Sequence, residues 1–118
     1  MRSERRPASE TPVRRGEIWW VNLHPARGSE IGKTRPAVVL TANGVNRARR
    51  TVVVVPLSTG PQARPPIVIG TPSAGADAVA VCDQVRAVDK RRLTRMSGRL
   101  SPNDLRQVED GLRQILEL

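Results

Sequence analysis

Short apolar runs with the composition of β-strands recur along the chain and are separated by turn residues. The run 17–23 carries apolar side chains on both of its alternating faces, which is typical of a strand inside a small barrel. In the β-branched run 51–57, Pro56 is expected to end regular pairing or to leave the strand at an edge. The predicted strands are 17–23, 36–41, 51–57, 67–69, 78–88 (long, or broken at Asp83) and 95–100.

The connecting segments are rich in turn residues and in charge. Asn43-Gly44 is a turn signal and is followed by a basic connector over 46–50. A second charged turn is predicted over 89–93.

One helix is predicted at the C-terminal end of the sequence. Ser101 is a good N-cap, Pro102 fits the first helical position, and Asp104 suits the positive end of the helix dipole. Gly111 is expected to weaken the middle of this helix. An apolar stripe at helical spacing completes the pattern, formed by Leu105, Val108, Leu112, Ile115 and Leu116.

These elements predict a mainly β fold, a small barrel or curled sheet with a C-terminal α-helix. Residues 1–13 have little apolar content and several charges and prolines, so they are interpreted as a flexible basic tail. Residues 14–118 are expected to form a single domain, because the whole chain has only 118 residues.

Charge and composition narrow the classes of partner. The formal net charge of +9 favours a polyanionic partner, with nucleic acid as the first hypothesis. The lone cysteine, Cys82, argues against a disulfide framework, fits a reducing cytoplasm, and is expected to lie in the core. No apolar run is long enough for a membrane span.

Aromatic residues are scarce, and this changes what kind of nucleic-acid recognition is expected. Trp19 and Trp20 are the only aromatic residues, so recognition of bases by an aromatic stacking platform is poorly supported. One of the two is expected in the core and the other at an interface.

The stretch 28–41 is the best candidate for a phosphate site. Gly28 and Gly32 allow positive φ and a close approach to a ligand, and Arg35 precedes Pro36, which biases it toward an extended conformation. A guanidinium is therefore expected at the mouth of an apolar strand, beside a loop rich in amide donors. An ordinary hairpin with a solvated arginine is the alternative.

If the partner is RNA, cleavage through the 2′-hydroxyl needs a base, an acid and positive charge near the phosphorane. His24 is the only histidine, which excludes a histidine pair. The scattered carboxylates show no metal motif, so neither a metal nor another cofactor is predicted. What remains is Arg35 as a phosphate clamp with the hydroxyl of Ser58 or Thr59, near the loop amides around Ser29.

Five segments closely resemble motifs of the MazF/PemK family of toxin endoribonucleases, in the same order and at compatible spacing. The resemblance implies an SH3-like barrel, a homodimer, and sequence-specific, metal-independent cleavage of single-stranded RNA. The implied products are a 2′,3′-cyclic phosphate (or a 3′-phosphate) and a 5′-hydroxyl. The resemblance also implies a cognate antitoxin. A dimer groove lined by Lys33, Arg35 and Arg86 is expected to accept an acidic, partly disordered segment of that antitoxin. The five segments are 15–19, 28–30, 35–39, 55–59 and 83–86.

The resemblance also assigns roles to individual residues. Arg35 matches the catalytic arginine, and Ser58 stands where the family usually has its catalytic threonine, with Thr59 beside it. A guanidinium stays protonated, so Arg35 is interpreted as the stabiliser of the phosphorane rather than the base. The expected RNA-binding residues are Gly28, Ser29, Glu30, Lys33, Arg64, Asp83, Gln84 and Arg86.

Two departures from the family pattern concern the cleaved sequence rather than the reaction. Asn22 and His24 stand where acidic residues are frequent, and the segment 64–66 replaces a loop that often carries aromatic residues. Two other functions remain open at this point. One is a noncatalytic SH3-like RNA-binding module, and the other is a barrel toxin that binds DNA gyrase.

Overall fold

The structure is a computed structural model that describes residues 12–118. Most of the tail predicted over 1–13 therefore lies outside the described residues. The last residue of that segment, Val13, is 4% exposed and packs in the core. The packed domain thus includes a residue that the composition had placed in the tail.

Within residues 12–118 the chain forms seven strands and two α-helices. The strands are β1 (Glu17–Asn22), β2 (Thr34–Val39), β3 (Thr51–Ser58), β4 (Val68–Gly70), β5 (Val79–Val81), β6 (Arg86–Asp89) and β7 (Leu93–Arg99). The helices are α1 (Asn43–Ala48) and α2 (Pro102–Leu116). Short 3-10 helices lie at Pro72–Ala74, Cys82–Gln84 and Lys90–Arg92.

All strand pairs are antiparallel, and the order in the sheet is β4-β5-β3-β2-β1-β7, with β6 paired to β3 as well. The central strand is β3. One of its sides pairs with β2 through Pro56, and its other side passes from β6 to β5 around that proline. The expected end of regular pairing at Pro56 is thus found on one side of the strand only, and β3 is not an edge strand.

The sheet buries apolar side chains on both faces, as the alternation in the run 17–23 predicts. Trp19 and Val21 of β1 lie in one core cluster, together with Ala37 of β2 and Val54 of β3. The neighbouring positions point to a second cluster, which α2 covers with Val108 and Leu112. The predicted mainly β domain with a C-terminal helix is confirmed.

The turn predicted at Asn43-Gly44 is wrong, because these residues begin helix α1. Two side-chain hydrogen bonds hold this short helix, one to a distant residue and one to the segment just before it. The Arg15 amide donates to Asn43 Oδ1 at 2.7 Å, and the buried Asn46 side chain donates to the Thr41 carbonyl at 2.8 Å. The basic connector over 46–50 is accordingly helical in its first half.

The run 78–88 is broken where Asp83 suggested. The 3-10 helix Cys82–Gln84 separates β5 from β6, and Cys82 is fully buried, as expected of a core residue. No helix among residues 12–118 has both the length and the apolar character that a bilayer crossing requires.

Helix α2 begins as predicted, with the Ser101 hydroxyl accepting a hydrogen bond from the Asp104 amide at 3.1 Å. Asp104 is buried and accepts from the Ser73 amide at 2.8 Å, which joins the helix start to the Pro72–Ala74 turn. Gly111 is buried, and a Cβ there would lie 2.8 Å from the Pro66 carbonyl oxygen. The glycine therefore permits close packing of α2, besides lowering its helix propensity.

Gly111→Ala is expected to destabilise the domain by about 1–3 kcal/mol, because overpacking against a backbone carbonyl outweighs the propensity gain of roughly 1 kcal/mol. Gly44→Ala is the matched control in α1. Its Cβ would meet only the Arg47 side chain, at 3.9 Å, so stability should be unchanged or raised. Urea unfolding of both variants measures the difference. A Gly111→Ala protein as stable as the parent would contradict this account of α2 packing.

Candidate functional site

A cleft of about 480 Å³ opens where β2 starts and β3 ends. β2 pairs with β3 so that Ala37 lies opposite Pro56 at the end of the shared ladder. Arg35 precedes Ala37 by two residues and Ser58 follows Pro56 by two, and both line the cleft. The antiparallel pairing thus unites two positions that are far apart in the sequence. The cleft is lined by Ile18, Trp20, Lys33, Thr34, Arg35, Pro36, Leu57, Ser58, Thr59, Ala74, Ala78 and Ser97.

Arg35 is partly buried in the first half of β2, and its Nε donates to the Gly32 carbonyl at 3.2 Å. That bond orients the guanidinium. Neither Arg35 nor the exposed Lys33 takes part in a salt bridge within residues 12–118. The cleft therefore presents two cations, one of them a planar fork suited to bidentate contact with phosphate oxygens.

The loop before β2 reaches the cleft through an unusual backbone conformation. Gly28 has a φ of 57°, as predicted. Gly32 does not use the positive φ that a glycine allows. Lys33 adopts it instead, with a φ of 67°. Gly32 is required because the loop packs closely against Ala26 at this point. A Cβ at position 32 would lie 2.9 Å from the Ala26 Cβ.

The two candidate catalytic hydroxyls, those of Ser58 and Thr59, are held differently. Ser58 is the last residue of β3 and is partly buried, and its Oγ accepts from the Gly60 amide at 3.3 Å. This bond uses an acceptor site of the hydroxyl and leaves its proton free to be donated. Thr59 is exposed and lies beyond the end of the strand. Both line the cleft, but the backbone of β3 fixes Ser58 more firmly.

Trp20 lines the same cleft and was not assigned to the site from the sequence. Trp19 is 4% exposed in the core, whereas Trp20 is partly exposed and pairs across the sheet with Arg95. The Arg95 guanidinium carbon lies 5.3 Å from the centroid of the Trp20 ring. The cleft thus contains one indole ring, which also contacts the Arg95 guanidinium. The alternation of side chains along the strand predicts that Trp20 shares a face with Ile18. It does not predict that this face is open to a cleft at Trp20.

The remaining predicted RNA-binding residues do not line this cleft. Gly28, Ser29 and Glu30 form an exposed turn, in which Glu30 Oε1 accepts from the Arg27 amide at 2.8 Å. Gln84 Oε1 accepts from the Ile31 amide at 3.1 Å. Gln84 therefore ties the loop to the 3-10 helix that follows β5, and its geometry indicates that it positions the loop.

The three other predicted RNA-binding residues also lie outside this cleft. Arg86 is partly buried and donates through Nη2 to the Leu23 carbonyl at 2.7 Å. Asp83 and Arg64 are exposed, and the Arg64 backbone bridges to Val68. Their contribution to RNA binding stays a prediction.

Cys82 and His24 offer little for catalysis. Burial, aided by the nearby Asp83 carboxylate, raises the pKa of the Cys82 thiol to about 11, so that the nucleophilic thiolate is scarce at neutral pH. His24 is exposed on the loop after β1 and does not line the cleft. Among residues 12–118, no three His, Cys, Asp or Glu side chains are grouped so that they could hold a metal ion.

Comparison with known proteins shows the family. Residues 14–116 match the model of the family described as PemK-like, MazF-like toxin of type II toxin–antitoxin system. The chain is 36% identical over 115 residues to Endoribonuclease MazF9 of Mycobacterium tuberculosis, an alignment that covers 90% of this chain and 98% of that protein.

Solved structures show the same fold. MazF from Deinococcus radiodurans superposes with a TM-score of 0.83 at 24% identity, over 92% of this chain and 100% of that one. An endoribonuclease from a mycobacterial species, in complex with its cognate antitoxin, superposes with a TM-score of 0.74 at 20% identity, over 90% and 96% of the two chains. The small barrel of MazF type is thereby confirmed.

Proposed function

Because the chain belongs to the PemK-like, MazF-like toxins of type II toxin–antitoxin systems, we propose that it is an endoribonuclease that cleaves single-stranded RNA. The observation that carries the proposal is the juxtaposition of Arg35 and Ser58 on neighbouring strands, in one cleft. The matched relative from M. tuberculosis is named an endoribonuclease, which supports the same activity.

In the proposed reaction, the ribose 2′-hydroxyl attacks the adjacent phosphorus and loses its proton. The pentacoordinate phosphorane carries extra negative charge on its equatorial oxygens, and the Arg35 guanidinium stabilises that charge through paired N–H donors. The bond to the 5′-oxygen then breaks, and this oxygen takes up a proton. The products are a 2′,3′-cyclic phosphate and a 5′-hydroxyl, with no net gain or loss of water.

Ser58 is proposed to assist proton transfer near the leaving oxygen, since its hydroxyl retains a free proton while Gly60 holds its oxygen. Lys33 adds positive charge at the mouth of the cleft and attracts the RNA backbone. Trp20 offers one surface on which a base next to the cleaved phosphate can stack. The general base is not assigned to a residue.

Family membership supports several further proposals about partners. We infer that the protein acts in the cytoplasm as a homodimer, and that its cleavage of mRNA inhibits translation and growth. A cognate antitoxin with an acidic, partly disordered segment would neutralise it, since such a segment complements a basic groove. The structure of a mycobacterial endoribonuclease with its cognate antitoxin supports this proposal.

Purified protein is expected to cleave a mixed-sequence RNA at an unchanged rate in excess EDTA, because Arg35 supplies the positive charge that a metal would otherwise provide. The measurement is the appearance of new 5′-hydroxyl ends with time. Protein carrying Arg35→Ala, purified identically, controls for contaminating nuclease. Activity that is abolished by EDTA and restored by magnesium would contradict the metal-independent mechanism. No cleavage under any condition would instead favour a noncatalytic RNA-binding or gyrase-binding protein.

A further inference from the structure

A second cleft, of about 420 Å³, lies at the opposite end of β3 from Ser58. The strand spans eight residues, so at roughly 3.3 Å per residue its two ends are about 23 Å apart. This basic cleft is lined by Arg47, Ala48, Arg49, Arg50, Asp89, Lys90 and Arg91.

The basic cleft is assembled from the two charged connectors that appear unrelated in the sequence. Strand pairing places Thr51 of β3 opposite Asp89 of β6. The Lys90 amide donates to the Arg50 carbonyl at 2.8 Å, which extends the pairing beyond the strand ends. The end of α1 and the 3-10 helix Lys90–Arg92 are thereby held on either side of one concave surface.

The positive charge of this surface is mostly unneutralised. Among residues 12–118, Asp89 supplies its only carboxylate. Arg91 donates to that carboxylate through Nε and Nη2, at 3.0 and 3.2 Å. The Arg91 hydrogen bonds lower the pKa of Asp89, so the carboxylate is ionised at neutral pH. In the described part of the chain, the other cations of the cleft form no salt bridge; they are Arg47, Arg49, Arg50 and Lys90.

We propose that the basic cleft binds phosphates of the RNA substrate at a distance from the cleaved bond. The inference rests on the proposed ribonuclease function and names a second contact for the same substrate. Arginine forks suit phosphate oxygens, and unpaired cations gain affinity by releasing the counterions of a polyanion. Of the described residues, Ala48 is the only apolar one in the lining, whereas a protein partner is usually anchored by buried aromatic or aliphatic side chains.

The test compares the double variant Arg47→Gln/Arg49→Gln with Arg14→Gln/Arg106→Gln. Each variant removes two positive charges, so the two proteins have the same net charge. All four arginines are exposed, so both proteins should fold, and thermal melting checks that they do. Affinity is measured by fluorescence anisotropy on 2′-O-methyl RNAs, which lack the attacking hydroxyl. The two mixed-sequence probes have about 4 and about 16 nucleotides, the limits of site size in single-strand binders.

The cleft variant is expected to bind the long RNA roughly tenfold more weakly, and to lower the slope of log affinity against log salt by about 1.4 for two lost phosphate contacts. Binding of the short RNA should be unchanged, and the control variant should alter both affinities less than about twofold. Equal losses for both RNA lengths, or equal losses from both variants, would overturn the proposal, since net charge would then explain them.

Polyglutamate serves as the probe for an acidic protein partner. If the cleft variant loses affinity for polyglutamate but keeps its affinity for the long RNA, the cleft is a protein-binding surface and the proposal is wrong. Because these measurements use uncleavable RNA, they are independent of catalysis. Failure of the parent protein to cleave ordinary RNA would refute the proposed function separately.

Discussion

Arg35→Lys is expected to lower the single-turnover rate of RNA cleavage by about a hundredfold or more, by analogy with the loss of one oxyanion donor. Lysine keeps the charge but replaces a planar fork, held by the Gly32 carbonyl, with a flexible point charge. If the guanidinium acts on the phosphorane, the lost interaction belongs to the transition state, and RNA affinity should hardly change. Arg35→Ala should be at least as inactive.

Lys33→Gln provides the control at the same cleft. Lys33 is exposed and is proposed only to attract RNA, so its loss should weaken binding while turnover at saturation stays close to that of the parent. Rates are measured on one short RNA, and affinities on its 2′-deoxy analogue, with thermal melting as the test of folding. An Arg35→Lys protein that cleaves at nearly the parent rate when saturated would refute the catalytic assignment of Arg35.

Where a pattern was local and strongly periodic, the sequence predicted the structure well. The double-sided apolar alternation of β1, the break near Asp83 and the Ser101 cap are all found. Each depends on side-chain period or on capping chemistry, both of which operate within a few residues. The presence of Arg35 and Ser58 in one cleft could also be anticipated, though only through the family resemblance, because no local rule gives the register of β2 against β3.

The features that the sequence missed depend on contacts between distant residues. Asn43 begins a helix, and its side chain accepts a hydrogen bond from the Arg15 amide. Turn propensities describe neighbouring residues only and cannot predict a bond to a residue this distant. Gly111 was interpreted by its propensity, whereas the Pro66 carbonyl limits what can replace it. The basic cleft likewise exists only because β3 pairs with β6, which brings together a basic connector and a charged turn that are far apart in the sequence.

The second large effect concerns the hydroxyl, for which the sequence left Ser58 and Thr59 as alternatives. Ser58 is the last residue of β3, is partly buried, and is bonded to the Gly60 amide, whereas Thr59 is exposed beyond the strand. A proton-transfer group must be held in a fixed position relative to the reacting atoms. Ser58→Ala is therefore expected to reduce turnover by about a hundredfold, the lower end of general acid–base contributions.

Thr59→Ala is the matched control, since it deletes a neighbouring hydroxyl from the same cleft, and it should change turnover by less than about threefold if only Ser58 transfers a proton. Ser58→Thr should keep substantial activity, because it retains the hydroxyl and stiffens χ1. Single-turnover cleavage of one RNA across a range of pH separates the two positions. A large loss in Thr59→Ala with little effect of Ser58→Ala would reverse the assignment. Equal, moderate losses in both would show that neither hydroxyl transfers the proton, and that the cleft uses them to bind RNA.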